Sequence, residues 1–339
     1  MRSKIPHQFW TIFRWVLAIA LVVYAVRSGR LDVSELKALW KSPVALAGVW
    51  SMMVLGLGLT FWRWKILLSG VGLTTPFSQV VRLGMIGQFF SVVIPGAVSG
   101  DLVKAVAISK RHPGAKLRAV SSILLDRVLG MGALIVLAAV GFWVAGGPNL
   151  SVSDKARVTF STLGYIVSGL SLVGLSGLLV GPFLVSRLGP WIDRRTQSIL
   201  FLNEIYKAIE SYKSNWSSVW FCFGISILNQ ALNVGVLYFI GVLSFGDPLA
   251  NMDAGIFVLA TLLGQSVLAL PIAPMGVGVG QVAYSTLFQM AGASSLSFGS
   301  TLVTGWQALA LSLNATGLVF FLLNRKESSQ TVAVSMRQS

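Results

Sequence analysis

Apolar positions in this chain come in long unbroken runs. They show neither the alternation of a half-buried strand nor the three-to-four-residue stripe of a surface helix. Six stretches have the length of a bilayer crossing: residues 10–27, 43–62, 120–145, 159–185, 216–243 and 298–323. Two further apolar regions, 80–110 and 254–291, are interrupted at VVIPGAVSG and LPIAPMGVGVG. Non-helical backbone at membrane depth survives only where protein or a water-filled cavity satisfies it. Each interrupted region therefore predicts a re-entrant pair of half-helices, with a pair of short full spans as the other arrangement. The expected fold is all-α: a polytopic integral membrane protein with six full spans and two broken pairs.

Composition points the same way. Of 339 residues, 55% are hydrophobic and 11% charged, and the mean hydropathy is +0.77, well outside the balance of a soluble domain. The first run, Trp10 to Val26, is followed by charge and many further spans without a small-residue cleavage site, so it reads as a retained helix and not a signal peptide. The single cysteine, Cys222, excludes an intrachain disulfide and a cysteine-rich metal cluster.

The net charge of +15 comes from 26 basic against 11 acidic residues. The bases lie in short loops beside the spans, which points to membrane orientation and lipid headgroups, not nucleic acid. Arg2 and Lys4 precede the first span; Lys110, Arg111, Lys116 and Arg118 precede the third. Arg187, Arg194, Arg195, Lys207 and Lys213 crowd the loop before the fifth, and Arg325 and Lys326 follow the last. The loop after the fifth span holds Asp247 and Asp253 and no base. Placing the bases inside gives cytoplasmic N and C termini; the loop with Arg27, Arg30, Lys37 and Lys41, offset in part by Asp32 and Glu35, runs against this. Region 80–110 then starts and ends in the cytoplasm, and region 254–291 outside. Residues 43–145 and 216–323 each read span, broken pair, span, in opposite orientation, which predicts the inverted repeat of many transporters, with an unrelated bundle of eight to ten helices as the other arrangement. One transmembrane domain over 1–326 and a flexible cytoplasmic tail over 327–339 follow.

The candidate chemistry gathers at the breaks. Pro95 and Gly96 end one helix, and Ser99 or Asp101 can cap the next. A helix start so placed offers backbone N–H groups to an anion, with Lys104 adding a full charge; Gly100 lies between them. The alternative is that Asp101 only caps the helix and pairs with Lys104 near the interface. Asp126 and Arg127 lie several residues inside an apolar helix, where charge needs a partner or water. Being adjacent, they project about 100° apart, so at least one meets another helix, with Arg82 and Asp101 the candidate partners. A structural ion-pair network and a substrate pathway both fit. Arg63 and Lys65, among tryptophans, read as interface anchors. In the second break, Pro271, Pro274, Gly276, Gly278 and Gly280 precede Gln281, suggesting an uncharged half-helix cap or packing kinks. Gln230, Asn233, Trp306 and Gln307 either line a polar path or bind helices together. His7 and His112 read as surface groups, and no P-loop, zinc-helix or nucleophile-elbow motif occurs, so no catalytic set and no cofactor or metal are expected.

RWKILLSG, IGQFFSVVIPGAVSGDLVKAVAISK, AVSSILLDRVLG and PIAPMGVGVGQVAYSTLFQMAG, in this order, resemble the lysylphosphatidylglycerol synthase transmembrane region family of flippase-like proteins. The resemblance runs from about residue 10 to 323. It implies an inner-membrane protein that translocates a lipid, in the best understood branch an aminoacylated phosphatidylglycerol made by an attached synthase. The family's Pro-Gly, Gly-Asp and following base match Pro95 with Gly96, Gly100 with Asp101, and Lys104; its acidic-Arg pair matches Asp126 and Arg127. The chain departs from the pattern at Gly130, at Val279-Gly280-Gln281 in place of a glycine motif ending in Arg-Glu, and around Trp306, where a base is missing. No synthase domain follows Arg325, so the chain is not expected to make the lipid itself. The expected partners are membrane lipids, either an anionic or aminoacylated phospholipid or a polyprenyl phosphate. A non-transporting partnership with a lipid-modifying enzyme and transport of a small polar solute are the other readings.

Overall fold

A computed structural model describes residues 39–93, 99–112, 116–196, 212–250, 252–269 and 274–338, with Glu210 and a few residues between 23 and 37. The expected first span, 10–27, falls almost wholly outside these residues, as does Arg30, whereas Arg27 and Lys37 are described and exposed. The described residues form nine main α-helices: α1 (Pro43–Gly70), α2 (Phe77–Val93), α3 (Ser99–Arg111), α4 (Lys116–Val144), α5 (Asp154–Thr196), α6 (Trp216–Phe245), α7 (Ala254–Leu268), α8 (Val279–Met290) and α9 (Phe298–Gln338). Five of them are long and apolar enough to cross a membrane: α1, α4, α5 over Asp154–Phe183, α6, and α9 over Phe298–Leu323. These coincide with five of the six predicted spans, and the chain is a polytopic helical membrane protein.

The interrupted regions form helical hairpins. At about 1.5 Å per residue, α2 and α3 are roughly 25 and 20 Å long and α7 and α8 roughly 22 and 18 Å, all short of the ~30 Å hydrocarbon core. In each hairpin the end of the second helix lies beside the start of the first. Arg111, in the last turn of α3, donates to Gln79 in the first turn of α2. The Phe257 ring near the start of α7 meets Phe288 near the end of α8, 5.5 Å between centroids. The joint of the first hairpin, which holds Pro95 and Gly96, and Pro271 in the second lie outside the described residues.

Two core clusters hold the bundle. One gathers Trp64, Leu67, Leu68, Val80, Ile108 and Val219 around α1–α4 and α6; the other gathers Phe142, Phe160, Ile240, Phe257, Tyr284 and Phe288 around α4–α9. The hairpins cross over between halves of the chain. α2 packs mainly along α9 and on α3, α7 mainly along α4, and α1 lies along α6. At the base of the first cluster the Tyr212 hydroxyl donates to the Leu67 carbonyl at 2.9 Å, and burial pushes its pKa above the ordinary range.

The sequence reading ended the second span at residue 62. The helix instead runs to Gly70, with Val71 and Gly72 closing the turn onto the Leu68 and Ser69 carbonyls. Arg63 and Lys65 thus lie about two turns and one and a half turns inside the helix end. Lys65 lies over the Phe77 ring at 5.9 Å, as an anchoring cation does, but Arg63 is buried.

Candidate functional site

Asp101 occupies the first turn of α3, at the joint end of the first hairpin, ten residues or about 15 Å from Arg111 at its other end. Arg127 lies eleven residues or roughly 17 Å along α4 from Lys116. The two reach a common depth and pair, with Arg127 Nε 2.7 Å from Asp101 Oδ2. Lys104, one turn on from Asp101, has its Nζ 3.5 Å from Asp101 Oδ1 and 5.3 Å from the centroid of Trp64. Backbone contact between α2 and α3 makes this possible. A Cβ on Gly100 would run into the Gly87 carbonyl, so only hydrogen at both positions lets the helices approach this closely.

The adjacent pair at 126 and 127 splits as its 100° projection predicts. Arg127 turns to Asp101, one of its two expected partners. Asp126 meets not Arg82 but Arg63: Arg63 Nε is 2.7 Å from Asp126 Oδ1, and its Nη1 donates to Ser226 Oγ at 2.7 Å. This corrects both the Arg82 pairing and the reading of Arg63 as an interface anchor. A guanidinium this deep requires a carboxylate, and α4 supplies one. Arg82 is half-buried on α2. Ser99 begins α3.

The charges differ in what they present. The Lys104 and Asp101 side chains are only 13% and 10% exposed, whereas the Arg127 side chain is 56% exposed. Leu124, Val128 and Met131 on α4 and Leu102 and Val106 on α3 are also exposed. The terminal nitrogens of Arg127 bond nothing among the described residues. The outward cation of the cluster is therefore Arg127, and Lys104 faces inward.

The second break is neutral. Met275, Gly276 and Gly278 adopt positive φ of 51°, 68° and 83°, a turn that costs a non-glycine residue energy at Met275. Gln281 ties it down: its Oε1 accepts from Gly278 N at 2.6 Å, and its Nε2 donates to Gln307 Oε1 at 2.7 Å and Thr304 Oγ1 at 3.1 Å. Gln307 Nε2 in turn donates to the Met275 carbonyl at 3.0 Å. Pro274 opens the 3-10 turn of this element, and Gly280 packs closely on Leu268. Of the polar residues expected to line a path or join helices, Gln307 and Gln230 join backbone elements, the latter donating to the Gly130 carbonyl. Asn233 and Trp306 line a partly open pocket between α1, α2, α6 and α9.

A sequence profile described as the lysylphosphatidylglycerol synthase TM region matches residues 12–322. The chain belongs to that family. No curated protein and no solved structure matches the chain. The lysylphosphatidylglycerol synthase TM region match takes in all eight helices from α1 to α8 and the apolar length of α9, so both hairpins and the charge cluster lie inside it. Membership makes the chain a flippase-like membrane transport region, not a catalytic one. Among the described residues, no three His, Cys, Asp or Glu side chains are grouped to hold a metal ion.

Proposed function

We propose that this protein moves an anionic lipid between the leaflets of the inner membrane, with the lipid phosphate engaging Arg127. The observation that carries the reading is a guanidinium near the middle of α4, held by Asp101 through Nε and more than half exposed, on a helix whose neighbouring apolar residues Leu124, Val128 and Met131 are exposed as well. An arginine at that depth costs roughly 2.5–3.5 kcal/mol by insertion scales unless an anion or water meets it. The fork of its terminal nitrogens matches two phosphate oxygens. Asp101 orients the group without consuming its outer donors, and Lys104 holds Asp101 from behind.

The helix contacts support a transporter built as an inverted repeat of 43–145 and 216–323. Under that correspondence α2 on α9 is the counterpart of α7 on α4, and α1 along α6 maps onto itself. The loops at Gly147–Asn149 and Pro248–Ala250 then face outward, and the basic ends of α3 and α4 face the cytoplasm with both termini. Each hairpin is read as a re-entrant pair of half-helices.

The test is translocation of fluorescent phosphatidylglycerol in vesicles, read by dithionite quenching. A charge-assisted hydrogen bond is worth about 1.5–3 kcal/mol, so Arg127→Gln is expected to slow movement roughly 10- to 100-fold while Arg127→Lys keeps part of the rate. Wild-type rates in Arg127→Gln would remove the phosphate role, and no lipid movement by the wild-type protein would end the transport reading.

A further inference from the structure

The two broken pairs carry a polar contact at the same spacing. Asp101 in the first turn of α3 accepts from Arg127 of α4, 26 positions on; Gln281 in the first turn of α8 donates to Gln307 of α9, also 26 positions on. Each member of the second contact stands 180 residues after its counterpart in the first, and at that offset PGAVSGD (95–101) and MGVGVGQ (275–281) share two glycines. Burial keeps the same register. Ala105 and Ser285, Ile108 and Phe288, and Leu129 and Leu309 are buried, whereas Val106 and Thr286, and Val128 and Ala308, are exposed.

The register breaks at the contacts themselves. Leu102, Leu124 and Arg127 are exposed, but their counterparts Val282 and Thr304 are half-buried and Gln307 is buried. α8 packs more extensively on α9 than α3 does on α4, and Gln307 Nε2 also donates to the Met275 carbonyl at 3.0 Å. One cleft is open and its counterpart is shut. The central helices differ in the same way: α4 lies along α6, but its counterpart α9 meets α1 at few points, and the partly open pocket lined by Met53, Thr60, Trp306 and Asn314 lies in that gap.

In transporters built on inverted repeats one half rocks against the other, which exchanges the open and shut clefts between them. We infer that Gln281 and Gln307 are the uncharged counterpart of the Asp101–Arg127 site, shut in this structure and opened to the bilayer when α8 parts from α9 and α3 closes on α4. The inference rests on the lipid-transport reading and adds a second headgroup contact to it. The group it takes is the lipid phosphate, met by carboxamide N–H donors without a cation. It is held there more weakly than at Arg127, because neutral hydrogen bonds are about half as strong as charged ones.

Distances between paired nitroxide labels in bilayer discs test the motion. In the Cys222→Ser protein, labels at Val106 and Val128 span the open cleft, and labels at Thr286 and Ala308 span the shut one. Each pair is expected to show two distances. Gln307→Leu removes the bonds to Gln281 and Met275. At a factor of about 2 to 10 for each bond, it should raise the ratio of long to short distances between 286 and 308 roughly 4- to 100-fold, and lower that ratio between 106 and 128 in step. A single distance in both pairs without Gln307→Leu overturns the inference whether or not the variant folds. So does lengthening between 286 and 308 alone, which is local loosening and not exchange.

Moving the charges tests the contact. Arg127→Gln is expected to lose retention of phosphatidylglycerol roughly 10- to 100-fold, and adding Gln281→Asp with Gln307→Arg should recover at least severalfold of it. A glutamine pair that only holds helices together would give no recovery, and that result in a protein of normal melting temperature overturns the second contact. Fixed distances with Arg127-dependent translocation would reject this inference and leave transport standing, whereas exchanging distances without translocation would reject transport and leave the paired motion.

Discussion

The Arg63–Asp126 pair allows the sharpest test of the interior. The two side chains are 6% and 14% exposed and 2.7 Å apart, and Arg63 also holds Ser226 of α6, so one guanidinium joins α1, α4 and α6. Removing one member of a buried pair costs about 3–5 kcal/mol, because the other is left as an uncompensated charge. Arg63→Leu strands the Asp126 carboxylate and takes from Ser226 Oγ its donor, leaving the bond that the hydroxyl donates to the Cys222 carbonyl, and belongs at the upper end of that range. Asp126→Asn leaves an acceptor for Nε and removes only its charge, so about 1.5–3 kcal/mol is expected. The double replacement Arg63→Leu with Asp126→Leu removes both charges, and the cost should fall well below the sum of the single losses. Steric trapping of unfolding in bilayer discs measures all three. A loss under about 1 kcal/mol for Arg63→Leu, or strict additivity in the double variant, would refute the argument that this pair is desolvated and coupled.

Gly100→Ala should separate α2 from α3 and destabilise by about 1–3 kcal/mol, while Gly58→Ala, where an added Cβ meets nothing within 4 Å, should be neutral in the same unfolding assay. Gln281→Ala removes the Gly278 cap and the links to Gln307 and Thr304, so a loss of about 1–3 kcal/mol is expected; an unchanged melting temperature would show that the turn holds itself. Lys104→Gln should lower stability more than lipid binding, since the ammonium faces Asp101 and Trp64, and Arg127→Gln should do the reverse; calorimetry and lipid retention on the same samples separate the two. With Cys222 replaced by Ser, a cysteine at Asn149 should react with an impermeant maleimide from outside and one at His112 should not, and the opposite result would invert the assigned orientation.

The long helices were legible because bilayer thickness sets a length that apolar runs must meet, and the hairpins because proline and glycine interrupt such runs visibly. The Asp101–Arg127 pair was within reach for a similar reason: adjacent charges on a helix diverge by 100°, so two directions had to be satisfied. Arg63 was missed because a base beside tryptophans has the same local sequence whether it anchors a helix end or pairs in the interior. The deciding partner lies 63 positions away on another helix. The inward turn of Lys104 was hidden for a related reason, since it depends on Trp64 and on the close α2–α3 crossing. Gln281 could be seen as an uncharged cap, but its link to Gln307 required the fold of α9 against α8.

The pairing of α2 with α9 also has a consequence for biogenesis. The chain is made from its N terminus, and about 205 residues separate Val93 at the end of α2 from Phe298 at the start of α9. At 5–20 residues per second, α2 waits roughly 10–40 s for its main packing surface. Throughout that interval α2, bearing Arg82 and Gln88, has α1 and α3 as neighbours but not its longest contact. Nascent chains arrested before α9 should therefore show protease access and insertase crosslinks at α2 that vanish once the last helix is complete.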